Sequence, residues 1–360
     1  MNVAIFPFGK EFEIVLKYSE LLQEINVTHL LAPNGFGLSE KVVTVREKKY
    51  IVYDRIKEKE KNDFQALMIV ESFQKISFGI ICQQIEIFGM WKKKILIARH
   101  FTNEENNIIL DICRKYDVEL IDTTAEFNVM QTIYSPFMEI REIHTPIVAI
   151  AGNGENCSKF ELQLEIRKRL LEDGYAVSSI GSRRNCELLG MHSFPQFMLE
   201  KILSEEEKII CYNNYIKLIE KTEQPEVIVI GIPGGLMPVT KKKHIHFGIS
   251  AYEIFNAVVP DFTILTLHKD AYNEEYFDEI SNFFKYRFNI KPDCYILSNY
   301  AIDRFSIGSV MPIKYIEHDS LEIEKQEKRY VHKVYNQNSY DDMYRYMIET
   351  LSSYEETKIL

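Results

Sequence analysis

A glycine-rich turn between a predicted buried strand and a predicted helix carries the strongest chemical signal in the sequence. Residues 147–160 read IVAIAGNGENCSKF, so a run of apolar residues leads into Gly152, Asn153 and Gly154. The N–H groups at a helix N-terminus point in one direction and, together with the helix dipole, attract anions. The glycines let the backbone approach phosphate oxygens, and Lys159 in the first helical turn can reach the outer phosphates. This run therefore predicts a phosphate site for a nucleotide, either ATP or GTP.

The same run departs from a Walker P-loop in ways that bear on catalysis. Ser158 stands in the place of the second glycine, and Phe160 follows the lysine, where a serine or threonine would hold magnesium. Ile230, the penultimate residue of a later buried strand, stands at a position where P-loop enzymes keep an acid, and Glu155 adds a negative charge to the loop. We therefore expect nucleotide binding without fast magnesium-dependent hydrolysis. A tight strand-to-helix turn with an exposed lysine is the alternative.

A second glycine loop, residues 231–238 (GIPGGLMP), follows the predicted strand 227–231 directly. In α/β proteins the carboxyl edge of the sheet is where ligands bind. We expect Gly234 and Gly235 to present N–H groups there and to close the phosphate site. A sharp connection from the sheet to a helix explains the same residues equally well.

The loop after the predicted strand 175–180 contains two adjacent arginines, Arg183 and Arg184. In a sheet ordered like that of a P-loop domain this loop lies beside the first one, so both guanidinium groups are candidates to bind phosphate or carboxylate. His192 and Ser193 could serve as base and nucleophile, but adjacent residues rarely face each other, and no catalytic residue is predicted. The alternative is a loop that only packs against the core.

The elements that position these loops alternate between short apolar runs and longer helical patterns, which predicts an α/β fold with mainly parallel sheets. We expect two domains that meet within residues 131–145. Residues 1–135 form a Rossmann-like domain without the GxGxxG of a dinucleotide site. Residues 145–360 form a divergent P-loop NTPase-like domain that ends in a helix.

Hydrophobic periodicity predicts the individual elements. The predicted strands cover residues 3–8, 28–32, 50–53, 66–70, 94–98, 119–121, 146–152, 175–180, 227–231, 262–267 and 294–298. The predicted helices cover residues 11–23, 103–116, 158–172, 205–221, 249–255, 274–286 and 340–353.

Composition narrows the range of partners. The 360 residues include 53 acidic and 43 basic side chains, a formal net charge of −10, which does not favour nucleic acid or an anionic membrane. The six cysteines are widely spaced and indicate reduced thiols, and His244 and His246 lack a third ligand nearby, so we predict no disulfide frame and no metal site. Without a membrane-length apolar run or a signal peptide, we expect a cytoplasmic protein.

Three segments together resemble a known family. They are AGNGENCSKFELQLEIRKRLLEDGYAVSSIGSRRNCELLGMHSFPQFM (151–198), VIVIGIPGGLMPV (227–239) and the opening VAIFPFGKEFE (3–13). They resemble the peptide maturation system proteins that accompany bacteriocin-like ribosomally made peptides. The two-part layout is also similar to a wider family with a Rossmann-like and a P-loop domain, which includes D-glutamate N-acetyltransferase-type proteins. Gly152 and Lys159 match that family's loop, whereas Ser158, Phe160 and Ile230 depart from it.

The resemblance implies an accessory protein for the maturation of a bacteriocin-like peptide, with the precursor peptide or other maturation enzymes as partners. Apart from the resemblance, we allow for a homo-oligomer. Whether the chain is an enzyme stays open at this point. One alternative is an ATP-dependent ligase or kinase, or an N-acyltransferase that acts on an amino-acid or peptide amine. Another is a peptide-binding module in which the P-loop is a relic.

Overall fold

In the computed structural model the described residues are 1–22, 24–72, 74–123, 139–183, 186–199, 201–239, 248–307, 313–318 and 330–357. The chain divides into two compact units. The first comprises Met1–Met130 and Arg183–Ser193, and the second comprises Gln131–Ser182 and Phe194–Leu360. Both are built from strands and helices with mainly parallel pairing, which confirms the predicted α/β class. Much of the predicted junction at 131–145 lies outside the described residues.

The first unit is a seven-stranded sheet with helices. Its strands are β1 (Asn2–Phe6), β2 (Asn26–Leu31), β3 (Val42–Val45), β4 (Lys48–Tyr53), β5 (Ala66–Val70), β6 (Lys94–Ala98) and β7 (Leu120–Asp122). Its helices are α1 (Glu13–Lys17), α2 (Phe78–Met90) and α3 (Asn103–Tyr116). The strands lie in the order β3-β4-β2-β1-β5-β6-β7. Every pair is parallel except the hairpin of β3 and β4.

The core of the first unit explains why these strands are so apolar. All five residues of β5 are buried, as expected of a parallel strand covered on both faces. Ile81, Ile85 and Phe88 recur along one face of α2 and join the same apolar cluster as the strand residues. The resulting layers hold the carboxyl ends of β1, β5 and β6 side by side.

The second unit is a six-stranded parallel sheet. Its strands are β8 (Ile147–Gly152), β9 (Val177–Ile180), β10 (Val227–Gly231), β11 (Phe262–Leu267), β12 (Cys294–Leu297) and β15 (Val334–Tyr335), and a separate hairpin pairs β13 (Tyr300–Ile302) with β14 (Tyr315–Glu317). Its helices are α4 (Lys159–Glu172), α5 (Glu205–Glu223), α6 (Ile249–Ala257), α7 (Glu274–Phe288), α8 (Arg304–Ile307) and α9 (Tyr340–Thr357). The strand order is β15-β12-β11-β8-β10-β9.

Helix α4 is buried on most of its surface, including several polar side chains. Gln163 Nε2 donates hydrogen bonds to the carbonyls of Ile180 and Val229, at 2.8 and 3.2 Å, and Arg167 Nη1 donates one to the carbonyl of Val177 at 2.8 Å. These bonds satisfy carbonyls of β9 and β10, which offsets the cost of burying the polar groups. Helix α4, which carries Lys159, is therefore anchored to two strands.

Several predicted elements differ from the observed ones. The predicted helix over 11–23 is instead two short 3₁₀ turns around the five-residue α1. The edge strand β3 was not predicted, and neither was α2, where apolar residues outside the buried stripe hide its periodicity. No helix among the described residues is both long and apolar enough to cross a membrane.

Candidate phosphate-binding loop

The glycine loop starts from the middle of the second sheet. Its strand, β8, pairs with β10 on one side and β11 on the other. The chain leaves β8 toward β9 and β10 and later crosses to β11, so the carboxyl end of β8 is a topological switch point. Open α/β sheets bind ligands in the crevice outside such a point. Residues 153–158 occupy that position and lead directly into α4.

Lys159 turns back over the loop that precedes it. Its side chain is buried, with 8% of the residue exposed. The ammonium Nζ donates a hydrogen bond to the carbonyl of Gly154 at 3.0 Å and another to the carbonyl of Gly234. The predicted lysine thus bridges the two glycine loops through their backbone oxygens.

The second glycine loop packs directly on the first. The N–H groups of Leu236 and Met237 donate to the carbonyls of Gly152 and Asn153, both at 3.1 Å. A Cβ added at Gly235 would lie 2.8 Å from Gly154 Cα, a distance that real Cβ atoms essentially never show. This close approach explains why a glycine stands at 235. The structure therefore brings the predicted residues Gly152, Asn153, Gly154, Lys159, Gly234 and Gly235 together.

Side chains inside the loop hold its shape. Cys157 is fully buried, and its thiol donates to the carbonyl of Gly154 at 3.1 Å and lies 2.9 Å from the Thr266 hydroxyl. Ser158 adopts a left-handed conformation, with φ +62°, and its hydroxyl lies 3.0 Å from that of Ser298. Thr266 is on β11 and Ser298 directly follows β12. The ends of three neighbouring strands thus shape one loop.

His268 covers the loop from the end of β11. Its ring is buried, and Nε2 donates to the carbonyl of Glu155 at 2.6 Å, because a carbonyl can only accept. Burial, aided by the nearby Lys159 charge, lowers the pKa of His268, so the ring is neutral near pH 7. The ring also stacks on Tyr315, with centroids 5.5 Å apart. A Cβ at Gly154 would lie 2.3 Å from His268 Cε1.

The remaining predicted residues lie elsewhere or outside the described residues. Arg183 groups with the first unit, where its Nη1 donates to the carbonyl of Glu11 at 3.3 Å. Burial lowers its pKa from the usual arginine value. The sequence predicts that the arginine loop after β9 lies beside the glycine loop after β8. In the observed strand order β10 separates β8 from β9, so the two loops do not follow neighbouring strands. Arg184 and the pair His244 and His246 lie outside the described residues, and roles for Arg183 and Arg184 at a phosphate stay a prediction.

The positions that would serve magnesium chemistry are apolar in the structure as in the sequence. Ile230 is fully buried as the penultimate residue of β10, and Phe160 is buried in the first turn of α4. The next acidic residue, Glu161, accepts a hydrogen bond from Gln337 Nε2 at 2.6 Å. Among the described residues no group of three or more His, Cys, Asp and Glu side chains could hold a metal ion.

Sequence reasoning missed the polar residues that frame the loop from other strands. Thr266, His268 and Ser298 lie more than 100 positions from the loop in the sequence. They share one signal, because each stands at or just past the carboxyl end of a predicted buried strand. Such positions meet at one edge of a parallel sheet. Examining the residues at the carboxyl end of every predicted strand would therefore have identified all three.

Comparison with known proteins supports the fold alone. No protein-family model matches the chain, and no curated protein matches its sequence. A DUF1611 family protein from Anabaena variabilis is similar in structure with a TM-score of 0.54 and 10% identity, over 82% of this chain and 87% of that one. At this identity the likeness shows a shared α/β fold over most of both chains.

Two other solved structures are more distant. The signal recognition particle 54 kDa protein from Aeropyrum pernix, in complex with GDP, has a TM-score of 0.28 at 12% identity, over 62% of this chain and 48% of that one. Aspartate semialdehyde dehydrogenase II from Vibrio cholerae has a TM-score of 0.22 at 13% identity, over 66% and 67% of the two chains. Similarity at this level carries no functional argument.

Proposed function

We propose that the second unit binds the phosphate groups of ATP or GTP at residues 152–159 and that the protein is an accessory factor in the maturation of a bacteriocin-like ribosomally made peptide. The single observation that carries the nucleotide proposal is the position of Lys159. It is a buried cation that joins two glycine loops at the switch point of a parallel sheet. The peptide role is supported by the sequence resemblance described above.

The contacts of Lys159 suggest how a phosphate would enter. The ammonium bonds to the carbonyl oxygens of Gly154 and Gly234, which are neutral acceptors. A phosphate oxygen carries negative charge, so it attracts the ammonium more strongly than a neutral carbonyl oxygen does. Phosphate oxygens would therefore compete well for this ammonium, while the nearby helix N-terminus adds favourable dipole charge. In this proposal the bridge between the loops opens as the nucleotide binds.

Binding without fast hydrolysis follows from the residues around the loop. A P-loop enzyme places a hydroxyl after the lysine and an acid on a neighbouring strand to hold magnesium. Here Phe160 and Ile230 occupy these two positions, and both are buried apolar side chains. The nucleotide would act as a ligand that orders the two glycine loops. We therefore expect binding that depends little on magnesium.

Calorimetric titration with ATP and GTP, each with and without magnesium, tests the nucleotide proposal. We expect micromolar binding, about −8 kcal/mol, that weakens at least about tenfold in Lys159→Ala because charge-assisted hydrogen bonds are lost. Lys159→Met keeps the aliphatic stem and serves as a second variant. Lys168→Ala is the matched control, since this lysine lies on the same helix and pairs with Glu172 at 3.7 Å.

The outcomes separate the two halves of the proposal. No heat with either nucleotide, or unchanged affinity in both Lys159 variants, would contradict a phosphate site at this loop. The peptide half is tested by titrating the protein with a synthetic precursor peptide of the bacteriocin-like class. Peptide binding that persists in Lys159→Ala without nucleotide would favour a binding module with a relic loop.

A further inference from the structure

We propose that the carboxyl edge of the first sheet holds a second ligand site, centred on Arg99 and Glu71. Its ligand is a small molecule that carries a carboxylate beside a hydroxyl or amine. The proposal rests on the first unit alone. It holds or fails independently of nucleotide binding at residues 152–159.

The topology places these two residues at a position where α/β sheets bind ligands. Strand β1 pairs with β2 on one side and β5 on the other, and the chain crosses over between them, which makes a second topological switch point. Glu71 directly follows β5, and Arg99 directly follows the adjacent β6. Because parallel strands end at one edge, both side chains arise beside the crevice of this switch point.

Arg99 has hydrogen-bonding capacity that the described residues do not fill. Its Nε and Nη1 atoms are buried, and neither has a hydrogen-bond partner within the described part of the chain. Glu71 Oε2 lies 3.5 Å from Nε, which is an ion pair but longer than an ordinary hydrogen bond. The guanidinium also lies 5.0 Å from the centre of the Phe101 ring, which fixes its plane.

These unfilled donors favour a carboxylate ligand. A buried N–H group without an acceptor destabilises the protein, so a ligand that supplies an acceptor removes this cost and binds more favourably. The flat guanidinium suits a flat carboxylate better than a lysine ammonium would. The Arg99 side chain is 19% exposed and that of Glu71 is 28% exposed, so both side chains border solvent at this edge, and a ligand must enter between them to reach the buried donors.

The Glu71 carboxylate beside Arg99 adds a second requirement, a hydrogen-bond donor on the ligand. A bare carboxylate would face the like charge of Glu71, whereas a hydroxyl or ammonium next to it could donate to that oxygen. Glu187 is a further acceptor in the first unit: Ser193 donates to its Oε2 at 2.5 Å, while its Oε1 is buried with no hydrogen-bond partner in the described residues. Glu187 lies within electrostatic range of His100, the residue that follows Arg99 in the sequence.

Ligand-observed saturation-transfer NMR with three matched probes tests this site on the full chain. Lactate, alanine and propionate share the same carbon skeleton and carboxylate but carry a hydroxyl, an ammonium or neither beside it. We expect transfer to lactate or alanine and at least about tenfold weaker binding of propionate. Arg99→Gln should weaken binding at least about tenfold, as a charge-assisted hydrogen bond is lost.

Arg114→Gln is the matched control, because this arginine is exposed on α3 of the same unit. Arg99→Lys keeps the positive charge and replaces Arg99→Gln should that variant lose its thermal unfolding transition. Glu71→Gln keeps the size of the side chain and removes its negative charge. Glu71→Gln should remove the preference for lactate or alanine over propionate. Absence of transfer to all three probes, or equal transfer in the wild type and the Arg99 variants, would overturn the proposal. Equal binding of the three probes would overturn the role of Glu71.

Discussion

The two switch points of this chain are built in opposite ways. In the second unit the candidate site at the carboxyl end of β8 is formed mainly by backbone atoms. Gly235 packs closely on Gly154, and the Lys159 ammonium bonds to the carbonyls of Gly154 and Gly234. In the first unit the candidate site at the corresponding edge is formed by side chains, those of Arg99 and Glu71, which follow adjacent strands and form an ion pair. Both edges use the same topology of parallel strands.

In the two proposals, one architecture presents two kinds of binding chemistry. Backbone groups at a glycine loop recognise phosphate through N–H groups and a helix dipole, without a need for many side chains. Side chains at strand ends recognise smaller ligands through charge and hydrogen-bond geometry. Glycine substitutions should therefore damage the second edge and not the first. Charge substitutions should damage the first edge, and at the second edge the only charge on which the proposal depends is that of Lys159.

The largest expected effect concerns carboxyl groups buried in each unit. Burial raises the pKa of Glu253 on α6 to about 7, although Lys208 Nζ lies 3.6 Å away and opposes the shift. Because the folded state holds this proton more tightly than the unfolded chain, stability should fall as pH rises from 4.5 to about 7. We expect a loss on the order of 2–3 kcal/mol across that window.

Urea unfolding of the wild type and Glu253→Gln at the two ends of this window measures the effect. The variant should show a flatter dependence on pH than the wild type. Burial also raises the pKa of Glu187 in the first unit, so Glu187→Gln should flatten the profile in the same direction. Parallel pH profiles for all three proteins would contradict this interpretation.

A smaller effect tests the backbone character of the second edge. Gly154→Ala would bring a Cβ within 2.3 Å of His268 Cε1, so we expect a loss of about 1–3 kcal/mol from overpacking. Gly35→Ala in the first unit is the control, since nothing lies within 4 Å of its Cβ position. Its effect should stay within about 0.5 kcal/mol.

Unfolding of Gly154→Ala in a His268→Ala background completes this test. Removing the ring should relieve most of the cost of the added methyl group, which a double-mutant cycle measures directly. A cost that is the same in both backgrounds would show that the clash with His268 is not the cause.

Loss of a helix N-cap should destabilise the two units equally. Equal cap effects would show that any difference between the two edges comes from the edges themselves. Thr102 accepts a hydrogen bond from the N–H of Glu105 at the start of α3, and Ser204 accepts one from Glu207 at the start of α5, at 3.2 and 3.3 Å. Replacing either cap with alanine should cost about 1 kcal/mol. Chemical denaturation measures both, and a difference of more than about twofold would contradict equal roles.

Ser158→Gly should have the smallest effect. Glycine relieves the left-handed conformation of Ser158, a gain of about 1 kcal/mol, but loses the hydroxyl contact with Ser298, a loss of similar size. The net change should lie within about 0.5 kcal/mol, and ATP affinity should not fall. Urea unfolding and calorimetry check both statements, and a cost as large as that of a lost cap would contradict them.

Much of the fold was predictable because its strands are local, uninterrupted apolar runs. Strands β5, β6, β10 and β11 have the predicted bounds, since β-branched and other apolar residues fill both faces of a parallel sheet. Strand β3 escaped prediction because half its residues are exposed and its pairing is with a neighbour in a hairpin. Pattern-based prediction works best where burial is complete.

The candidate sites were predictable only where their residues are contiguous. Gly152 and Lys159 fall within one short run, so their spacing could be recognised. His268 and Arg99 belong to sites whose members come from separate strand ends, and only the strand order brings those ends together. The strand order depends on crossover connections that no local pattern specifies.

Hydrogen exchange with and without saturating ATP, followed by mass spectrometry, tests the central claim most directly. If the loop after β8 binds phosphate, ATP should slow exchange in peptides that cover residues 152–160 and 231–237. Peptides that cover the first edge, residues 66–72 and 94–101, should exchange at unchanged rates. Slower exchange at the first edge alone, or at neither edge while ATP is bound, would contradict a phosphate site at the glycine loop.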